Sequence, residues 1–225
     1  MNQTINIGIA SLFERQDSLR KVLQSLTNQA DVIYVILNYG GQEPPEWIDG
    51  FENVIWTIGD NRLGSSHKFT MADLCKGYFV SWDDDLVLKN PQAINYLIRG
   101  CERYDAICTF HGKVYGEPPI ESYRRSIVKN IRCLNNWDED IEVTVGGTGC
   151  MAFDTQRFKI SLTDFHHKNM SDVECSRVAH EQGVKIMALS HACNYLEHIP
   201  PKGQTIWQTS NDDRIQTKIL NSFLK

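Results

Sequence analysis

From Ile5 to Leu189, short apolar runs alternate with longer segments whose apolar residues recur every three or four positions, the pattern of strands separated by helices. Ile5–Ala10 alternates as a strand, and Leu19, Val22, Leu23 and Leu26 mark a helix capped by Asp17 or Ser18. Val32–Leu37 is a buried strand bounded by Asp31 and Asn38-Tyr39-Gly40-Gly41, which completes a βαβ unit. Val54–Ile58 predicts a third strand, Ser65–Lys76 a helix stopped by Gly77, and Tyr78-Phe79-Val80 a further buried strand. Pro91–Tyr104 reads as a helix with Ala93, Ile94, Leu97 and Ile98 inward, and strands are expected at Ala106–Phe110 and Lys113–Tyr115. Val143-Thr144-Val145 leads into a glycine run and the apolar strand Cys150–Phe153. Asp172–Gln182 reads as a helix, Val184–Leu189 as a last strand, and Asn211–Lys225 as a helical tail. The alternation predicts an α/β fold with a mostly parallel central sheet flanked by helices, whose ligands bind beyond the carboxyl ends of the strands.

The pattern weakens between Glu117 and Asp140, so residues 117–142 are expected to be an insertion over the site rather than core, within a single domain of 1–225 that ends in a tail at 199–225. A length of 225 residues suits one domain with a sizeable core. The net charge of -5 argues against a broadly cationic nucleic-acid binder and leaves room for a local basic patch. Seven cysteines without a Cys-x-x-Cys pair suggest neither a zinc knuckle nor a secreted disulfide framework. With no apolar run of transmembrane length and no leader pattern at Met1–Ala10, a soluble, cytoplasmic protein is expected.

Three chemical features stand out of this frame. Asp83, Asp84 and Asp85 follow the run Tyr78-Phe79-Val80-Ser81-Trp82 and precede Leu86-Val87-Leu88, so a carboxylate cluster sits at a strand end. Such crowded charges need a cation or hydrogen-bond donors to compensate them, and hard oxygen ligands suit Mg2+ or Mn2+. The bland alternative is a solvated turn. Gly146-Gly147-Thr148-Gly149 permits backbone conformations closed to other residues and lets a ligand approach the main chain. Within Tyr123–Arg132, the basic residues Arg125, Lys129 and Arg132 would share one helical face suited to a phosphate-bearing acceptor, with Trp137 stacking on an acceptor or packing the insertion.

Taken in order, these segments resemble the family-2 nucleotide-sugar glycosyltransferases with the GT-A fold, over about Ile5 to His198. Asn6-Ile7-Gly8-Ile9-Ala10-Ser11-Leu12-Phe13-Glu14-Arg15 is similar to the family's first strand and nucleobase turn. Asn61-Arg62-Leu63-Gly64 with Lys68 resembles the segment before its metal strand, and Asp83 and Asp85 match its Asp-x-Asp motif. The resemblance implies a nucleotide-sugar site formed by Ala10, Ser11, Phe13, Arg15, Asn38, Arg62, Lys68, Asp83 and Asp84. It implies a metal on Asp85, Asp83 and His198, and a donor and acceptor loop at Gly146, Gly147, Thr148 and Gly149. Asn38 stands where the family commonly has a nucleobase-binding Asp, and Ser171 replaces an acid, which leaves Asp172 or Glu174 as catalytic base.

The reading that follows is a metal-dependent, inverting transferase moving a sugar from a nucleotide diphosphate, UDP first, to an acceptor hydroxyl. The acceptor would be a glycan, a phosphate-bearing molecule or a hydroxylated DNA base. A helix cap is the plain alternative for Asp172. The rival readings are a nucleotidyltransferase, disfavoured because Ala10–Arg15 lacks a glycine-rich phosphate loop, and a non-catalytic sugar-nucleotide binder on the same scaffold.

Overall fold

The computed structural model describes residues 3–200 and 212–224. In chain order the elements are β1 (Ile5–Leu12), α1 (Gln16–Leu26), β2 (Val32–Asn38), β3 (Val54–Ile58), β4 (Tyr78–Asp83), β5 (Leu86–Leu88) and α2 (Ala93–Tyr104). Then come β6 (Ile107–Thr109), β7 (Gly112–Tyr115), β8 (Ile127–Ile131), β9 (Ile141–Glu142), β10 (Val145–Gly146), β11 (Cys150–Asp154), α3 (Ser171–Glu181), β12 (Ile186–Ala188), β13 (Leu196–His198) and α4 (Arg214–Phe223). The expected α/β architecture is present as an eight-stranded sheet in the order β3-β2-β1-β4-β11-β6-β12-β9. Its first four strands are parallel, whereas β11 runs antiparallel to both β4 and β6. The chain leaves β1 through β2 to β3 on one side and returns to β4 on the other. The crevice beyond the ends of β1 and β4 is therefore a topological switch point, the favoured place for a ligand in such sheets.

Period-two alternation explains why this sheet is covered on both faces. Val80 and Trp82 of β4, with Cys150 and Ala152 of β11, join the core under α1 and α2, while Phe79, Met151 and Phe153 face the second core with α3. The predicted α1 stripe of Leu19, Val22, Leu23 and Leu26 is fully buried. Burying side chains of this size contributes about 1.5–3 kcal/mol each.

Three expectations differ. Ser65–Lys76 forms not an α-helix but a 3-10 turn over Gly64–Phe69 followed by further turns, because Ser66, His67, Lys68 and Phe69 are all buried and four consecutive residues cannot share one helical face. The basic segment is not helical either: Ile127–Ile131 is β8, paired antiparallel with β7, so the β-branched Ile127, Val128 and Ile131 follow strand geometry. Finally, residues 117–142 are woven into the core, since β9 joins the main sheet and Ile120 and Tyr123 pack with Ile219, Leu220 and Phe223 of α4. Of the expected tail at 199–225, residues 201–211 and 225 lie outside the described residues. No helix among the described residues is long and apolar enough to cross a membrane.

Candidate active site

Register places Ala10 beside Asp83 at the carboxyl ends of β1 and β4. The Asp83-Asp84-Asp85 turn is held by the Trp82 indole, which donates to the Leu86 carbonyl at 2.7 Å, and by the Asp83 N–H, which donates to the Gly149 carbonyl at 2.9 Å. A Cβ at Gly149 would meet the Asp83 carboxylate, which would have to shift to admit it. The glycine loop is thus a seat for the carboxylate turn.

Much of the positive charge that this cluster demands comes from the protein. Arg15 Nη1 reaches Asp84 at 2.7 Å and Asp85 at 3.1 Å, and buried Lys68 pairs with Asp83 while also donating to the Thr148 carbonyl at 3.3 Å. Burial opposes the charge on Lys68, but Asp83 outweighs it and holds the ammonium above its usual range. Burial, with Asp83 and Asp84 alongside, pushes the Asp85 carboxyl up to about 7. His198 Nε2 lies 3.7 Å from Asp85.

These groups open on one cavity of about 750 Å3, within the range of small-ligand sites. Asp172, in the first turn of α3, stands on its wall. Thr148 donates to Asp172 Oδ1 through its backbone N–H at 2.9 Å and its hydroxyl at 2.8 Å. Burial raises the Asp172 carboxyl, but Lys113, the Thr148 donors and His111 hold it below the usual range. Asp172 is ionised and aimed into the cavity.

Ala10, Ser11, Arg15, Asn38, Lys68, Asp83, Asp84, Asp85, Thr148, Asp172 and His198 all line this cavity, so the structure brings together most of the residues that the motif order singled out. Others fall elsewhere. Glu174, two residues along α3 from Asp172, is buried and accepts from the backbone N–H groups of His166 and His167 and pairs with the His167 ring at 2.7 Å; it tethers a loop and does not line the cavity. Phe13 packs edge-on against Tyr39, and Arg62 is exposed beside Asp60. Gly146 lies in β10, and the Gly147 N–H donates to the His111 carbonyl. Of the expected acceptor residues, Arg125, Lys129, Arg132 and Trp137 are all off the cavity; Lys129 pairs with Glu139, and Trp137 bridges backbone to His191. Asn38 lines the cavity, yet its side chain is engaged by the Gly64 carbonyl, the Asn61 N–H and His67. It braces the 3-10 turn rather than presenting a free edge to a base.

The sequence reading missed His111, Lys113, Tyr123, Arg124, Lys168 and Gln216, which also line the cavity. Arg124 lay within the basic stretch already noticed. Lys113 and Gln216 carried no local signal, because only the docking of β7 and α4 turns them inward.

The sequence matches no protein-family model and no curated protein. Solved structures share its fold. S. aureus TarS 1–349 in complex with UDP-GlcNAc superposes with a TM-score of 0.55 at 12% identity, over 89% of this chain and 60% of that one. S. aureus TarS 1–349 on its own gives 0.52 at 10% identity, over 86% and 59%. This chain therefore spans about 60% of the length of that TarS fragment. The shared architecture is the expected GT-A fold.

Among the described residues, no group of three or more His, Cys, Asp and Glu side chains converges as a ready-made metal site. The donor set nevertheless fits a divalent ion that takes the rest of its shell from a diphosphate and water, as Mg2+ commonly does. Asp85 and His198 are neighbours on the wall, and Arg15 and Lys68 leave one of three carboxylate charges uncompensated.

Proposed function

We propose that this chain is a glycosyltransferase that moves a sugar from a nucleotide diphosphate, UDP first among the candidates, to an acceptor hydroxyl with inversion. The observation that carries the reading is the pairing, across one cavity, of a carboxylate-ended strand at the switch point with an ionised Asp172 tied to it through Thr148. The GT-A fold and the UDP-GlcNAc bound to S. aureus TarS support the donor class.

Transfer breaks the bond from the anomeric carbon to the diphosphate oxygen and forms one to the acceptor oxygen. Positive charge grows on the sugar and negative charge on the leaving group. Asp85, Asp83 and His198 would hold a Mn2+ or Mg2+ ion, whose chemistry is to neutralise the departing diphosphate. Lys68 holds Asp83 in place through their ion pair. Asp172 Oδ1 is anchored by Thr148, so the other oxygen is the one that accepts the hydroxyl proton as attack proceeds from the face opposite the diphosphate.

Calorimetric titration of UDP, GDP and CDP into the wild type and Asp85→Ala, with and without Mn2+, tests the donor half. UDP binding that weakens without either the metal or Asp85 is expected. If none of the three nucleotides binds, the donor assignment fails.

A further inference from the structure

We propose that Lys113 is a positioning residue for transfer: it is a cation set against Asp172 on the wall of the cavity, and α4 fixes its place through Tyr123. This rests on the reading above, in which Asp172 accepts the hydroxyl proton.

The backbone brings the two side chains onto one wall. Lys113 of β7 pairs in register with Val145 of β10, and its carbonyl accepts from the Thr144 N–H at 2.9 Å. The next residue of β10, Gly146, donates through its N–H to the Ser176 hydroxyl at 3.1 Å, and that hydroxyl donates to the Asp172 carbonyl at 2.7 Å. One short strand is thus bonded both to the strand that carries Lys113 and to the helix that carries Asp172. Both side chains line the cavity, and Lys113 is only 5% exposed. Their influence is mutual. Burial pulls the Lys113 ammonium down and Asp172 opposes it, while burial pushes the Asp172 carboxyl up and Lys113 is foremost among the groups that oppose that, ahead of Thr148 and His111.

A lysine on a flexible stem would spread its charge over many positions. Here the ammonium is held. Lys113 Nζ donates to the Tyr123 hydroxyl at 3.0 Å and lies 4.4 Å from the Tyr123 ring centre. Strand alternation puts Tyr115 on the same face of β7 as Lys113, and the Tyr115 hydroxyl donates to the Tyr123 carbonyl at 2.6 Å. From the other side α4 fixes the same loop: Thr217 accepts the Tyr123 N–H at 2.9 Å and Asn221 the Ile120 N–H at 2.7 Å. Ile219, Leu220 and Phe223 of α4 pack in one cluster with Tyr115 and Tyr123.

The other charged and titratable groups around the pair do not replace Lys113. Lys68 also acts on Asp172, but its ammonium is paired with Asp83. Burial and Asp172 push the Tyr115 and Tyr123 phenols up, which keeps both neutral, and Arg124 acts on Lys113 by pulling it down. A lysine that served the core alone would be better replaced there by an apolar side chain, because burying an ammonium is costly. Facing a buried carboxylate, the charge has a use.

The test reads the charge on Asp172 directly, in the full chain. Carbon-13 carboxyl NMR follows the Asp172 titration, its signal identified by its loss in Asp172→Asn, in the wild type, Lys113→Gln, Lys113→Arg and Tyr123→Phe. Lys113→Gln should move the Asp172 titration up by about one pH unit or more, and Lys113→Arg should restore most of the wild-type position. Tyr123→Phe keeps the ring, removes the hydroxyl and should move it the same way by less. A lysine with a merely structural role would lower the melting temperature and leave the titration where it is. An unmoved titration in Lys113→Gln overturns the inference; should that variant fail to fold, an unmoved titration in Tyr123→Phe does so. Calorimetric titration of UDP with Mn2+ runs beside it. If UDP fails to bind the wild type, the transferase reading falls and the role of Lys113 in transfer falls with it. UDP binding together with an unmoved Asp172 titration removes this inference alone.

Discussion

Thr148 presents both its backbone N–H and its hydroxyl to the same oxygen of Asp172, at 2.9 and 2.8 Å, while its carbonyl accepts from Lys68 and from Ser81. One residue thus ties Asp172 to the carboxylate strand. Removing the hydroxyl in Thr148→Val keeps the backbone bond and loses a charge-assisted one, about 1.5–3 kcal/mol in a buried setting. Because that donor helps hold Asp172 below its usual range, its loss raises the Asp172 value, and the acidic limb of the rate profile moves to higher pH. Lys113, His111 and the Thr148 N–H remain to favour the carboxylate, so the limb shifts rather than disappears. Turnover should fall about tenfold or more, and Thr148→Ser should restore it; steady-state rates from pH 4 to 9 are the measurement.

Asp172→Asn keeps the shape and removes the proposed proton acceptor. A loss of about 10²–10⁴ in turnover is expected, with UDP affinity unchanged. Single-turnover rates beside UDP titration check both halves. Retained turnover would point to another base.

Glu174 makes the opposite prediction from two positions away. Its carboxylate serves the backbone of His166 and His167 and the His167 ring. Glu174→Gln should cost about 1–3 kcal/mol of stability with little change in turnover per folded molecule. Urea denaturation measures the first and active-site-normalised rates the second.

Asp85 titrates against the fold. Its folded value is raised to about 7, well above that of an unfolded chain, so the folded state holds the proton through the mildly acidic range and stability falls as pH rises from about 4 to about 7. Asp85→Asn removes that slope. Its melting temperature should exceed that of the wild type at pH 8 in the absence of metal, at about 2–4 °C per kcal/mol, and match it near pH 4. Equal melting temperatures at pH 8 would mean that Arg15 and Lys68 already compensate the charge.

At Gly149, alanine would drive a methyl group into the Asp83 carboxylate and displace it from Lys68. A cost of about 1–3 kcal/mol is expected, with weakened UDP binding. Thermal melts and calorimetry report the two effects separately.

Local chemistry made much of this protein legible from its residues. The period-two runs of β1, β2, β4 and β11 and the 3.6-residue stripe of α1 mark where each face is buried, because burial of apolar side chains decides those elements on its own. The cluster Asp83-Asp84-Asp85 marked the site, since three adjacent carboxylates after a buried strand demand compensation wherever the strand is placed. What compensates them was not local: Arg15 and Lys68 come from 70 and 15 positions away, and only the pairing of β1 with β4 and the tight turn at Gly64–Phe69 bring them in.

The choice between Asp172 and Glu174 was likewise closed to the sequence, because two acids two positions apart point about 200° apart on a helix and only the packing of α3 says which faces the cavity. The basic stretch drew attention to the right segment and the wrong side chains. Strand pairing with β7 replaced helical spacing with alternation, so Arg125, Lys129 and Arg132 lie off the cavity, while the neighbouring Arg124 lines it with Lys113. Residue type and period determine elements and candidate chemistry. Which charges meet is decided by contacts between segments far apart in the chain, and those exist only once the sheet, α3 and α4 have closed around the same cavity.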